Sequence, residues 1–333
     1  ILPCLWRKQF QTTEFFSSPS SPSASKSVRL TSLAISSPGS FARLYVGGST
    51  QGSGPDFGQL TPSASPDGFI TQVDPTTGLT IDSVRLFATD IRTEEEVTNL
   101  CVDDDDNLLA VGFSRGLFAY GGTDDGNFAD AYAVRYNKAG LTVIWRQQMG
   151  GFVNDYANDC VFSPGPTRAF FVAGETNGKM RYQPYPSAGN SPSGLSPSIG
   201  AYAGGSDVFL AKFDAADGTP LFVKQWGTSS NDAISTAFNL DAAGGISLAG
   251  GGTDDVMIAG NTKGSMFEYN RYGGSEYFLS RVAGTGDALP ALYQYPSKID
   301  TGEGGLSGGI VAAITICSLF FAIIVGYLLY RQG

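Results

Sequence analysis

The chain has no histidine. That single absence removes Ser-His-Asp and Cys-His nucleophilic arrangements, imidazole acid–base work and His-ligated metal sites together. Cysteine is scarce: Cys4, Cys101, Cys160 and Cys317 are all there is in 333 residues, and no two stand in CxxC spacing, which argues against a zinc cage. Charge is also sparse, at 16% of residues, and it is one-sided, with a net charge of −10. Such a surface repels nucleic acid and lacks the basic stripe that phosphate contacts need. The glycine-rich pieces at 250–252 and 284–286 do not join a parallel strand to a helix, so they read as turns and not as phosphate loops. With these templates gone, the expectation is a protein that is not an enzyme.

What is present is turn-forming and aromatic: 44 Gly, 17 Pro and 22 Phe describe many short strands and predict an all-β fold. The strands recur as a set. Apolar runs closed by glycine and a hydroxyl residue stand at 43–50, 108–114, 169–176 and 256–262. Each is followed by an acid-led strand of alternating polarity, DGFITQVD, DAYAVRYN, SDVFLAKFD and SEYFLSRV. A turn containing Gly78, Gly140, Gly218 or Gly286 leads to a third strand, as in LTVIWRQQMG and TPLFVKQWG. A fourth strand precedes the first, at 30–36, 97–103, 157–163 and 235–241, and the ISLAGGGTDD stretch at 246–255 reads as an insertion. Asn154-Asp155 and Asn231-Asp232, each four residues after a glycine, open two of these strands.

The pattern D-x-F-x-x-x-x-D, then G-x-x-x-W, G-x-x-x-N-D and an apolar strand ending G-x-T resembles the SBBP-type β-propeller repeat, with some similarity to NHL repeats. The resemblance covers roughly 28–296, best at 130–262, and implies a fold without implying an activity. Four blades of four antiparallel strands are expected, with LTSLAIS and its counterparts innermost.

Residues 310–330 (IVAAITICSLFFAIIVGYLLY) contain no charge and, as a helix, would span ~30 Å, the thickness of a bilayer core. Arg331 follows the run and acids precede it, so the positive-inside rule predicts a type I single-pass protein, its bulk extracellular, periplasmic or organelle-lumenal. The expected organisation is a Ser/Pro-rich extension at 1–27, a propeller at 28–296, a glycine-rich stalk at 297–309, the transmembrane helix at 310–330 and a tail at 331–333. Gly304, Gly305, Gly308 and Gly309, with small residues four apart, permit close helix packing.

Asp103, Asp104 and Asp105 form an acidic run that invites a calcium reading, since hard cations take several carboxylate oxygens from one tight loop. The blander account is a solvated turn, matched in the fourth repeat by 241–245. Asp124 and Asp125 make a second acid-rich turn. No other cofactor is implied. Cys101 in TNLCVD and Cys160 in ANDCVF are read as the same place in consecutive repeats, open either to a disulfide between neighbouring inner strands or to two buried thiols. Trp145, Met149 and Trp226 stand at strand positions that pack between blades. The functional expectation is a non-catalytic interaction or structural module with a protein partner in or at a membrane, or a glycan, and with the bilayer itself contacted through 310–330. Two rivals are an accessory subunit of a larger membrane complex and a carbohydrate-active enzyme working through paired carboxylates.

Overall fold

A computed structural model describes residues 7–10, 28–36, 42–51, 65–86, 94–116, 128–182, 202–234, 246–248, 254–265 and 276–285. None of these is helical, and together they form four antiparallel sheets, so the fold is all-β and consistent with a propeller-like arrangement. The apolar run at 310–330, the glycines at 304–309, Asp124, Asp125, Cys4, Cys317 and the strand at 235–241 lie outside the described residues. Among the described residues no helix is long and apolar enough to cross a membrane.

Sheet 1 runs in chain order through β1 (Val28–Ile35), β2 (Leu44–Thr50), β3 (Asp67–Val73) and β4 (Thr80–Arg85). Sheet 2 repeats that order in β5 (Glu95–Val102), β6 (Leu108–Ser114), β7 (Asp130–Tyr136) and β8 (Val143–Gly150). Sheet 3 begins with β9 (Asp155–Ser163) and β10 (Ala169–Thr176). The chain then returns to sheet 2 as β11 (Arg181–Tyr182), which pairs with β8, before completing sheet 3 with β12 (Asp207–Asp214) and β13 (Pro220–Trp226). In sheet 4, β14 (Asp232–Ile234) and β15 (Ile246–Leu248) both pair with β16 (Val256–Thr262), whose other edge carries β17 (Glu276–Val282).

The expected insertion at 246–255 is thereby corrected at its first three residues. Ile246–Leu248 is no insertion: it pairs with β16 as β5 pairs with β6, so it belongs to the first strand of its sheet. By that register the counterpart of Asp103–Asn107 comes after Leu248 in the chain and not at 241–245, and residues 241–245 and 249–253 lie outside the described residues. The turn glycines have a local cause. Gly78, Gly140 and Gly218 have φ of 72°, 79° and 75°, the left-handed region that a side chain disfavours.

Three clusters of buried apolar residues bind consecutive sheets, one cluster between each neighbouring pair. Sheet 3 lies between two neighbours, which is why β10 is apolar on both faces: Phe170 and Val172 pack toward sheet 2, Phe171 and Ala173 toward sheet 4. Each fully buried Phe contributes about 1.5–3 kcal/mol relative to exposure. The first strands carry these interfaces. β5 lies across β1, β2 and β3, β9 lies across β5, β6 and β7, and β14 and β15 together lie across β9, β10 and β12.

A bulge gives the first strands their phase. It leaves Thr31, Thr98 and Asn158 as extra residues, opposite the step into Gly48, Gly112 and Gly174. A Cβ on those glycines would lie 1.9, 1.9 and 2.0 Å from the carbonyl oxygens of Arg29, Glu96 and Tyr156, so the bulge requires glycine there.

Candidate functional site

In sheets 1 to 3 the bulge turns a polar residue of the first strand toward its neighbour. Ser32, Asn99 and Asp159 pair with Gly47, Val111 and Ala173, which makes them equivalent. They join into one line across all four sheets. Ser32 Oγ donates to Asn99 Oδ1 at 2.7 Å, Asn99 Nδ2 donates to Asp159 Oδ1, and Ile246 N–H of sheet 4 donates to Asp159 Oδ2 at 2.9 Å. Two bulge residues add cross-sheet bonds: Thr31 Oγ1 donates to Val97 O and Thr98 Oγ1 to Ala157 O.

Asp159 is the electrostatically unusual member. Burial pushes its carboxyl up to about 6, against the opposing pull of hydrogen bonds from Ile246 N, Cys160 N and Asn99. A carboxyl in that range can hold or release a proton near neutrality. Its 2% exposure, however, keeps it from any large substrate, and its work here is to bridge three sheets. Sequence reasoning missed this line. The signal was the adjacent polar pairs Thr31-Ser32, Thr98-Asn99 and Asn158-Asp159, each flanked on both sides by an apolar residue of its strand.

Aligning those pairs also corrects the reading of the cysteines. Cys101 pairs with Leu109 and Cys160 with Val172, and those partners are three and two residues before the bulge glycines. The cysteines are therefore one position out of phase and point from opposite faces of their sheets. Cys101 faces forward to sheet 3 and Cys160 back to sheet 2, and the two are joined by a disulfide with a Cα–Cα distance of 6.0 Å. Residues at truly equivalent places would have faced the same way and missed each other.

At the Asp103–Asn107 turn the three carboxylates Asp103, Asp104 and Asp105 come within 4.8 Å of one another. Each has a cationic partner. The buried Asp103 pairs with the Arg135 guanidinium and accepts the N–H groups of Asp105 and Asn107, which closes the turn. Arg168, from the turn before β10, bridges Asp104 and Asp105 and holds the Asp105 carboxyl below the usual range, chiefly by its hydrogen bond. The run acts as an arginine-neutralised seam between sheets 2 and 3.

The two Asn-Asp pairs mark sheet junctions. Asp155 N–H donates to Ala129 O and Asp232 N–H to Ser206 O, each at 2.6 Å, while their Oδ2 atoms accept the N–H of Gly151 and Thr228. Trp145 and Met149 pack in the cluster between sheets 2 and 3, where Trp145 Nε1 donates to Ala215 O, and Trp226 packs against the cluster between sheets 3 and 4.

No protein-family model matches the chain, and no curated protein matches it.

Proposed function

We propose that this chain is a non-catalytic interaction or structural module: four propeller-type blades displayed on the lumenal or extracellular face of a membrane and anchored by 310–330. The observation that carries the reading is the Cys101–Cys160 bond between the first strands of two consecutive sheets. Disulfides persist in oxidising compartments and are rare where thiols are kept reduced. The bond joins a framework already crosslinked by the Ser32–Asn99–Asp159 line, which suits a rigid platform whose loops meet a partner. The four-blade count is supported by four sheets, the first strands of the second, third and fourth each crossing the sheet before.

Protease applied to sealed vesicles of known orientation, read by non-reducing peptide mapping, tests it. The expected result is protection of 1–309 from the tail side and a 101–160 cross-linked peptide in the protected fraction. Digestion of the sheets from the tail side, or free thiols at both positions in freshly isolated membranes, overturns it.

A further inference from the structure

The three sheet interfaces share one plan, and its two halves are also found exposed at the ends of the series. The receiving half is the forward face of the third strand. In DGFITQV, DAYAVRY and DVFLAKF its positions hold Ile70, then Ala131 and Ala133, then Val208 and Leu210, all fully buried under the next sheet. In EYFLSRV of β17 the same positions hold Tyr277 and Leu279, which are 73% and 63% exposed.

The inserted half is a row of apolar side chains on the first strand. On β5 it is Val97, Leu100 and Val102, on β9 Ala157, Cys160 and Phe162, and both rows lie in inter-sheet clusters. By register the same row on β1 is Leu30, Leu33 and Ile35, opposite Gly48, Val46 and Leu44. These three are 50%, 67% and 63% exposed.

We propose that the exposed forward face of sheet 4 receives β1 of a second copy of this chain, whose own sheet 4 receives β1 of the first. Both halves belong to one repeat plan, so what fits the last sheet is a first strand of this kind, and the one left exposed among the described residues is β1. A contact between two different surfaces of identical chains closes when a pair uses it reciprocally. A polar latch supports the match. Gln72, Arg135 and Lys212, at the sixth position of their third strands, donate to the carbonyl oxygens of Lys138, Ala215 and Gly284 in the next sheet. Arg281 holds that position in β17, bonded to Asp255, and in the pair it stands over the 74–78 turn of the second copy.

The native disulfide supplies the test. Leu33 holds the place of Cys160, since Val46 and Val172 are both two residues before a bulge glycine. Ser247 holds the place of Cys101, since its partner Met257 corresponds to Leu109. Full-length Leu33→Cys and Ser247→Cys chains, each alone, are purified in mild detergent, mixed in equal amounts and gently oxidised. The expected result is a 33–247 cross-linked peptide and a species of twice the chain mass, with the 101–160 peptide intact as proof of folding. Light scattering on the wild type is expected to give twice 35.0 kDa, falling to the single mass in Leu279→Asp. The proposal is overturned if the cross-link forms only when both cysteines share one chain, which is closure within a copy. It is equally overturned if none forms while 101–160 persists, or if the wild type stays at single mass across the concentration range.

Discussion

Leu100 and Leu33 occupy the same register position on neighbouring first strands, opposite Ala110 and Val46, and their environments could hardly differ more. Leu100 is buried against the bare backbone of Gly47, where an added Cβ would come within 3.1 Å of Leu100 Cδ1, whereas Leu33 is exposed. The strands are alike and the residues identical. What buries one of them is the sheet in front of it, so in this repeat burial belongs to the interface and not to the strand. On β1 the apolar row is retained although, among the described residues, no sheet of the same copy packs on it, and that retention is the feature an interface at the ends explains.

The sharpest way to break the comparison is to truncate one residue inside an interface and one at the end. Phe170→Ala, in the cluster between sheets 2 and 3, is expected to cost about 3–5 kcal/mol in denaturant titration. Leu33→Ala is expected to cost under ~0.5 kcal/mol in dilute protein. Equal losses would show that the β1 row is already covered. Next in size is the disulfide, which closes a separation of 59 residues and is expected to contribute about 4 kcal/mol by chain entropy. Cys101→Ser, or reduction of the wild type, measures it. The accompanying rise in amide exchange should begin in β5 and β9 and spare the seam between sheets 1 and 2, which has no such bond among the described residues.

A smaller effect comes from Asp159. Its folded carboxyl titrates near 6 against an ordinary 3.8, so between those values the folded state holds a proton that the unfolded state has released. Its contribution to stability is complete below about pH 4, declines as pH rises toward 6 and is absent above. The expected loss is about 2–3 kcal/mol. Glu96, Glu175 and Asp207 are pushed the same way by burial. Asp254, despite burial, is held low by Thr167, Ser163 and Lys212. The difference between wild-type and Asp159→Asn profiles therefore isolates the residue, and a difference that is flat between pH 4 and 7 would refute the assignment. The smallest effect is expected from Arg168→Ala at the exposed acidic turn. A slight fall in melting temperature at low salt should vanish in roughly half-molar salt, because exposed ion pairs are screened.

Strand class and the glycine turns were legible in the sequence because their causes are local, whereas the start of the fourth sheet was not, its first-strand edge being made of Asp232–Ile234 and Ile246–Leu248. Alternating polarity marks DAYAVRY as a strand whichever sheet it joins, and the left-handed φ of Gly78, Gly140 and Gly218 is a demand of the turn itself. Phase was not legible to a reading that aligned cysteine with cysteine. One bulge shifts every later residue to the other face, and only the pairing of Gly112 and Gly174 with their neighbours shows where the shift falls. The acidic run at 103–105 belongs with the same class of outcome, since its arginine partners come from 32 and 63 residues away in the chain.

By itself, then, the sequence determined what each segment could be: strand or turn, apolar row or polar pair, glycine where no side chain fits. Tertiary structure decided which faces met, and with that the disulfide, the raised carboxyl of Asp159 and the neutralised acidic turn. The physical reason is that periodicity and backbone strain act within a few residues, whereas burial, charge pairing and covalent cross-linking depend on neighbours that only the packing of one sheet on the next supplies.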